Sequence, residues 1–344
     1  MDTGQLKILY IIPGFDEGGA EIHVLNLIRE MKSFGHEITL ISSGGRLENE
    51  LPENVNIIHM PVYSKNPARI ISCALKISDL SKKFHWDIIH AHSRVPAWIA
   101  WLVSKKTGIK WLMTAHALYS LNFGITPFRH ADGLICISKA VENHLSNYLP
   151  DNSIIIPNGI ILPKLKHKDF EHDGKTIKFL TVGRLSGLKG IDVALRALSG
   201  LKNYDWTLDV VGEGPKRKEL EDLSDNLGIS GRVKFHGDKE RFEVEHFMAV
   251  SSCMLFPSFS EGMGLAVLEA LSVGLPVIAS DLEALQEISE GQLVPSGNVE
   301  AWREAIKKFI ESGKSSPLNS ENIITVHDMA VQIEGYYKKL LWKE

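Results

Sequence analysis

Two periods of apolar spacing alternate along most of this chain, and that alternation constrains its fold more than any other feature. Short β-branched runs read as buried parallel strands: Ile8–Ile12, Ile38–Ile41, Val55–Met60, Ile88–Ala91, Trp111–Thr114, Leu134–Ile137 and Ile154–Ile156. Helical spacing separates several of them. Glu21–Phe34 places Ile22, Leu25, Ile28 and Met31 at intervals of three, one stripe of a helix. Arg69–Phe84, Val95–Lys105 and Lys139–Tyr148 also read as helices. Strands alternating with helices imply βαβ units and a parallel sheet covered on both faces.

The pattern breaks once. Pro163–Thr176 is rich in charge and poor in apolar side chains, which is linker composition. A second α/β series follows, with strands at Ile177–Val182, Thr207–Val211, Val233–His236, Met254–Phe256 and Pro276–Ala279. Its helices are expected near Ile191–Leu201, Pro215–Leu227, Val267–Val273, Glu283–Ile288 and Val299–Ile310, with a last one at Asn322–Leu341. The chain has 344 residues, more than one core usually supports. The expectation is two doubly wound domains, 1–162 and 177–321, joined by a linker at 163–176 and facing across a cleft. The terminal helix, about 322–344, would pack back on the first domain. Open α/β sheets bind ligands beyond the carboxyl ends of their strands, so the loops there matter most.

Composition excludes several classes. The net charge of −4 gives no sign of a nucleic-acid binder. Cys73, Cys136 and Cys253 lie in apolar runs without metal-ligand spacing, so they read as buried thiols of a reducing compartment. The run Ile8–Ile12 is too short for a signal-peptide core, and no stretch approaches the ~20 apolar residues of a membrane span. A cytoplasmic protein is expected. Lys65, Arg69, Lys76, Lys82 and Lys83 flank Ile70, Ile71 and Leu75, a weakly basic amphipathic helix compatible with peripheral membrane contact or with an ordinary solvated face.

Several strand ends carry chemistry. After the first strand, Pro13 to Glu21 includes Gly18 and Gly19 at a helix start. That suits close backbone approach and an anion, or a plain βα turn. It is not the G-x-G-x-x-G fingerprint, which disfavours a nicotinamide site. His90 and His92 are two apart on a strand and share a face. With no carboxylate or cysteine nearby in sequence, zinc is not expected, and His116 after the fifth strand is the better functional candidate.

In the second series, Gly183, Arg184 and Lys189 form the loop after the first strand. Arg184 offers a planar fork and Lys189 a point charge, both suited to phosphate oxygens. Gly212 opens another glycine-rich turn. The most informative segment is Phe256–Ala270. Gly262 and Gly264 would leave backbone amides pointing at an incoming anion at a helix start, with Met263 and Leu265 between and after them. Glu269 follows Glu261 by eight residues and sits about one and a half turns inside that helix. A carboxylate among Leu265, Leu268 and Leu271 is costly without a partner or a task, and one there suits the paired hydroxyls of a ribose.

The Glu261–Glu269 spacing resembles the E-x7-E motif of retaining glycosyltransferase family 4, in the glycogen-synthase-like superfamily with the two-Rossmann-domain GT-B fold. Gly18 to Glu21, His92-Ser93, Thr114–His116, Ile137 to Lys139, Pro157 to Gly159, Gly183 to Leu185, Lys189-Gly190, Gly212 to Gly214, Phe235 to Gly237 and Gly274–Ser280 resemble its stations in order. The resemblance spans nearly the whole chain. It implies that Arg184 and Lys189 hold a diphosphate and that Glu269 binds ribose. Glu261 and the amides of Gly262, Met263, Gly264 and Leu265 would hold donor sugar and phosphates. His116 would contact the transferred sugar. Arg232–Gly237, with His236, would border the base, and Gly18 and Gly19 would approach donor phosphate and acceptor. Met263, Ala266, Ile160 and Ile161 depart from the family's common residues, and the stretch between His116 and Asp132 is short.

These implications amount to a retaining transferase moving a hexose-type sugar from a UDP- or GDP-linked donor to a glycan or lipid-linked acceptor. The chain contains no Asp-x-Asp metal motif. Arg184, Lys189 and a helix N-terminus would neutralise the leaving diphosphate instead, so no metal or other cofactor is expected. One alternative is a sugar-nucleotide 2-epimerase of the same fold. Another is a non-catalytic member of a transferase complex.

Overall fold

The structure is a computed structural model and describes residues 4–16, 18–167, 176–288, 293–312 and 323–342. Most of the expected linker, residues 168–175, and the expected helix start at Asn322 lie outside the described residues, as does Glu17. Residues up to 159, together with those from 324 onward, form one compact unit, and residues 160–323 form the second.

The first unit runs β1 (Lys7–Ile11), α1 (Gly19–Ser33), β2 (Glu37–Ser42), β3 (Asn56–His59), α2 (Pro67–Phe84), β4 (Ile88–His92), α3 (Arg94–Thr107), β5 (Lys110–Ala115), β6 (Gly133–Cys136), α4 (Lys139–His144) and β7 (Ser153–Ile155). All seven strands are parallel, in the order β3-β2-β1-β4-β5-β6-β7. The order reverses between β1 and β4, which is the ligand-binding switch point of such sheets. Local chemistry marks the helix ends. The Asn66 side chain accepts the Ala68 N–H, with Pro67 at the first helical position, and α3 stops at Gly108 in the left-handed region.

The second unit runs β8 (Ile177–Val182), α5 (Ile191–Ser199), β9 (Trp206–Val211), α6 (Arg217–Asn226), β10 (Val233–Gly237), α7 (Arg241–Val250), β11 (Cys253–Phe256), α8 (Leu265–Val273), β12 (Val277–Ser280), α9 (Glu283–Gln286), β13 (Leu293–Val294) and α10 (Val299–Ser312). Its parallel order is β10-β9-β8-β11-β12-β13, with the switch point between β8 and β11. Trp206, Trp302, Phe179 and Phe309 fill its core. The last helix, α11 (Val326–Leu341), starts at a Thr325/Asp328 capping box and packs against α1 in the first unit. Its Met329, Ala330, Ile333 and Tyr337 join the core built on β1 and β4.

The helix over residues 139–148 is shorter than its apolar spacing suggests. It becomes a 3-10 turn at Ser146–Tyr148. The buried face of α1 is also wider than the Ile22 stripe: Ile22 is only partly buried, while His23, Val24, Asn26 and Leu27 point inward. Cys73, Cys136 and Cys253 are buried and free. No helix among the described residues is long and apolar enough to cross a membrane.

Candidate functional site

In the second unit, the loops that follow β8 and β11 flank the switch point and lock onto one another. The Phe259 N–H donates to the Leu188 carbonyl at 2.8 Å. Gly190 has φ +61°, and a Cβ there would stand 2.0 Å from the Pro257 carbonyl oxygen. Only glycine allows the two backbones this close. The contact sets one side chain from each loop together. Lys189 Nζ donates to Glu261 Oε1 at 2.6 Å, with the side chains 26% and 10% exposed. The same ammonium lies 5.2 Å from the Phe256 ring centroid. A half-buried cation is thus fixed at the strand ends by a carboxylate and an aromatic face.

Arg184, by contrast, is exposed, and its guanidinium makes no hydrogen bond or ion pair with any described residue. Gly183 and Gly212 lie side by side, and a Cβ on Gly212 would meet the Gly183 carbonyl at 2.2 Å. The Gly212 N–H donates to Gly237, and the Leu185 N–H to Glu213, so the turns after β8, β9 and β10 form one layer. His236 bonds Asp209 Oδ1 through Nε2 at 2.6 Å and packs on Phe247. One of its ring nitrogens is therefore already engaged.

Helix α8 begins where this layer meets β11. Gly264 is its N-cap, at φ +80° in the left-handed region, with Leu285 Cδ2 2.5 Å from where a Cβ would sit. The first N–H groups of the helix, those of Leu265 and Ala266, have no intrahelical acceptor and carry partial positive charge, while Val267 and Leu268 donate to the Gly264 carbonyl. Met263 is buried and Gly262 half-buried beside it. Glu269, the fifth residue of α8, is partly buried. Burial pushes its carboxyl above the usual carboxylate range, and the charge of Arg241 pulls it back.

The corresponding ends of the first unit hold histidines. Gly18 caps α1 and Gly19 is its first residue. Ser93, right after His92, sits at φ +96°, a strained geometry of the kind that collects at ligand sites. His92 Nδ1 and His116 Nε2 lie 2.9 Å apart, and the His23 ring is 4.7 Å from that of His116. Ligand atoms of His23, His92 and His116 lie within 4.8 Å of one another, close enough to share a metal ion. The pair weighed from sequence and set aside as zinc ligands, His90 with His92, does not form such a group, since His90 lies outside it. Instead, His90 is held by Tyr337 at 2.7 Å and Thr114 at 2.7 Å, and Tyr337 meets Tyr10 at 3.0 Å.

Burial drives every histidine of the cluster toward the neutral form. It lowers His23 to about 4, with the neighbouring Asn158 acting the other way. It holds His92 and His116 well below the usual histidine range, and the neighbouring histidines add to the effect. A neutral imidazole can accept from a hydroxyl or bind a metal. His116 Nδ1 and His92 Nε2 are buried without a hydrogen-bond partner among the described residues. His23, Tyr10 and Tyr337 escaped the sequence reading. His23 lies beside the apolar stripe of a helix rather than in a strand-end motif, and Tyr337 comes from the other end of the chain.

Comparisons with known proteins agree on the class. The model of Glycosyltransferase Family 4 matches residues 17–162, and that of Glycosyl transferases group 1 matches residues 164–323. An uncharacterized glycosyltransferase of Methanocaldococcus jannaschii is 28% identical over 324 residues, covering 89% of this chain and 88% of its own. The D-inositol 3-phosphate glycosyltransferase of Frankia alni is 26% identical over 328 residues, covering 79% of each chain. Among solved structures, sucrose-phosphate synthase from Thermosynechococcus elongatus superposes with a TM-score of 0.82 at 20% identity, over 98% of this chain and 99% of that one. Anabaena HepE in complex with UDP and glucose gives 0.79 at 18% identity, over 96% and 99%. With two Rossmann-like parallel-sheet domains and the two family models together matching residues 17–162 and 164–323, the chain belongs to glycosyltransferase family 4, in the glycogen-synthase-like superfamily, and is a glycosyltransferase of the GT-B fold.

Proposed function

We propose that this enzyme moves a hexose-type sugar from a UDP- or GDP-linked donor to a glycan or lipid-linked acceptor, with retention at the anomeric carbon and without a metal. The observation that carries the reading is the Lys189–Glu261 contact at the β8/β11 switch point, beside the N-terminus of α8. Departure of a nucleoside diphosphate concentrates negative charge on its terminal phosphate. Fixed positive groups aimed at that charge, needing no rearrangement, lower the barrier most. Lys189 is held in place, Arg184 is exposed for a bidentate grip, and the α8 amides add a third donor set. Glu269 takes the ribose hydroxyls, His236 borders the base, and Glu261 orients Lys189 and meets the donor sugar. In the first unit, the neutral His116 accepts from a hydroxyl of the transferred sugar, with His92 and His23 holding its ring, and Gly18 and Gly19 admit phosphate and acceptor.

The bond from anomeric carbon to phosphate oxygen breaks as an acceptor hydroxyl attacks from the same face. Its proton passes to the departing phosphate. That front-face course follows the family resemblance. The binding of UDP by a structural neighbour supports the donor class. The test is to incubate the protein with a panel of sugar nucleotides in excess EDTA and to read products by mass spectrometry and anomeric NMR. The reading expects a glycosylated or hydrolysed product of retained configuration and unchanged rate. A rate abolished by EDTA and restored by metal refutes the metal-free part, and epimerised donor alone refutes transfer.

A further inference from the structure

Charge is unevenly distributed along this chain. Residues 61–131 hold ten Lys or Arg against two acids, Asp79 and Asp87, a formal +8 within a chain of net −4. Asp87 accepts the Lys7 N–H at the start of β1, and Asp79 is paired with Lys82 at 3.1 Å. Helices α2 and α3 pack side by side, and α3 packs in turn on the 3-10 turn Phe123–His130. The Lys106 charge on α3 acts on Asp79 of α2, so the two helices share one electrostatic surface.

The same elements hold large apolar side chains outward. Phe123 is 77% exposed, Leu121 52%, Ile71 52% and Leu75 47%. Phe123 does not dangle: its ring lies 5.1 Å from Trp98, which lies 5.4 Å from Trp101, and Trp101 stacks on His130 at 4.9 Å. Lys105 Nζ lies 6.0 Å over Trp101. An aromatic base thus holds an apolar prong among lysines. A solvated basic face explains the lysines but not the prong, since soluble proteins rarely expose such patches without a partner. A nucleic-acid backbone also takes the charge and leaves the prong in water. A bilayer with anionic headgroups takes both: ammonium groups at the phosphates, tryptophans at the interface, and Phe and Leu at the acyl boundary.

We propose that this face of the first unit, built from α2, α3 and the turn Phe123–His130, docks the enzyme on an anionic phospholipid bilayer. The inference is independent of the donor chemistry, and it keeps the enzyme where a lipid-linked acceptor would be found.

Co-sedimentation of the full chain with vesicles tests it, comparing pure phosphatidylcholine with a mixture containing about one third phosphatidylglycerol. The wild type should sediment with the anionic vesicles and not the neutral ones, and high salt should release it. Lys76→Gln/Lys83→Gln/Lys106→Gln should weaken partitioning by about fivefold per charge, about a hundredfold in all. Leu121→Ser/Phe123→Ser keeps every charge and should lose at least about tenfold, from the apolar area withdrawn. All five positions are exposed, and melting curves and UDP or GDP titrations of the same variants should match the wild type. Failure to bind anionic vesicles, equal binding to neutral ones, or wild-type binding by Leu121→Ser/Phe123→Ser overturns the proposal. So does tighter binding to duplex DNA than to vesicles. None of these results touches the nucleotide titration, so the donor reading is judged separately.

Discussion

Replacing Lys189 by methionine keeps the length of the side chain and removes its charge. Two effects follow from one contact. In the resting protein, Glu261 loses a partner at 2.6 Å while its own side chain is only 10% exposed. A charge-assisted hydrogen bond of this kind contributes about 1.5–3 kcal/mol. For a domain the size of the second unit, that corresponds to a fall in Tm of roughly 3–12 °C. In the reaction, one fixed donor to the departing diphosphate is gone. By the measure of oxyanion-hole deletions this costs about 3–4 kcal/mol, or roughly 10²–10³ in kcat. The double variant Lys189→Met/Glu261→Gln separates the two effects, because it leaves no stranded carboxylate. Its Tm should recover by more than half, and its turnover should stay low. Thermal melts and single-turnover product analysis on wild type, both single variants and the double variant complete the cycle. Turnover of Lys189→Met within about threefold of wild type would refute the reasoning, set against the 10²–10³ expected. So would full recovery of turnover in the double variant, because Lys189 would then act only on Glu261.

Glu269→Gln should fold normally and bind UDP or GDP about 10–100-fold more weakly, the loss of a charged hydrogen bond to ribose. It should also bind the ribo- and 2′-deoxyribonucleotides alike in calorimetry; an unchanged preference for ribose counts against the assignment. Gly190→Ala puts a methyl 2.0 Å from the Pro257 carbonyl and forces an alanine to φ +61°. It should cost at least about 1–3 kcal/mol in melts and lower turnover with it, because the strained loop carries Lys189. Stability should fall as pH drops below about 6.5, the unfolded histidine value. Folded His23 titrates at about 4, and His92 and His116 are held well below the usual histidine range, so the unfolded chain binds more protons as the pH falls below 6.5. His23 alone accounts for roughly 3 kcal/mol, present above pH 6.5 and lost toward pH 4. Glu269, with its raised pKa, runs the other way as one group against several buried histidines. Urea titrations at pH 7.5, 6 and 5 check the sign, and a stability independent of pH would contradict the neutral cluster.

The strands of both sheets were legible because buried parallel strands are continuous β-branched runs, as in Ile177–Val182, and the pattern survives without any tertiary information. Elements that depend on context were not. Helix α7, at Arg241–Val250, buries only Met248 fully, so it has no apolar stripe to betray it, and its signal is the Glu240/Glu243 capping box. Strand β13 is two residues long and exists by pairing with β12. The glycines and charges of the second unit could be placed at strand ends from the chain alone. The pairing of Lys189 with Glu261 spans 72 residues and needed the sheet order. His23 looked like one more residue of an amphipathic helix. Only the reversal at β1/β4 brings α1 beside the ends of β4 and β5, where His92 and His116 stand.

The central claim is a metal-free diphosphate clamp made by Lys189, Arg184 and the start of α8. Calorimetric titration of UDP and GDP into the full chain in excess EDTA tests it most directly, with Arg184→Ala and Lys189→Ala alongside. The account predicts binding of at least one of the two by the wild type, unaffected by EDTA, and a loss of about tenfold or more in each variant while their melts stay cooperative. No binding without added metal, or wild-type affinity in both variants, would contradict it.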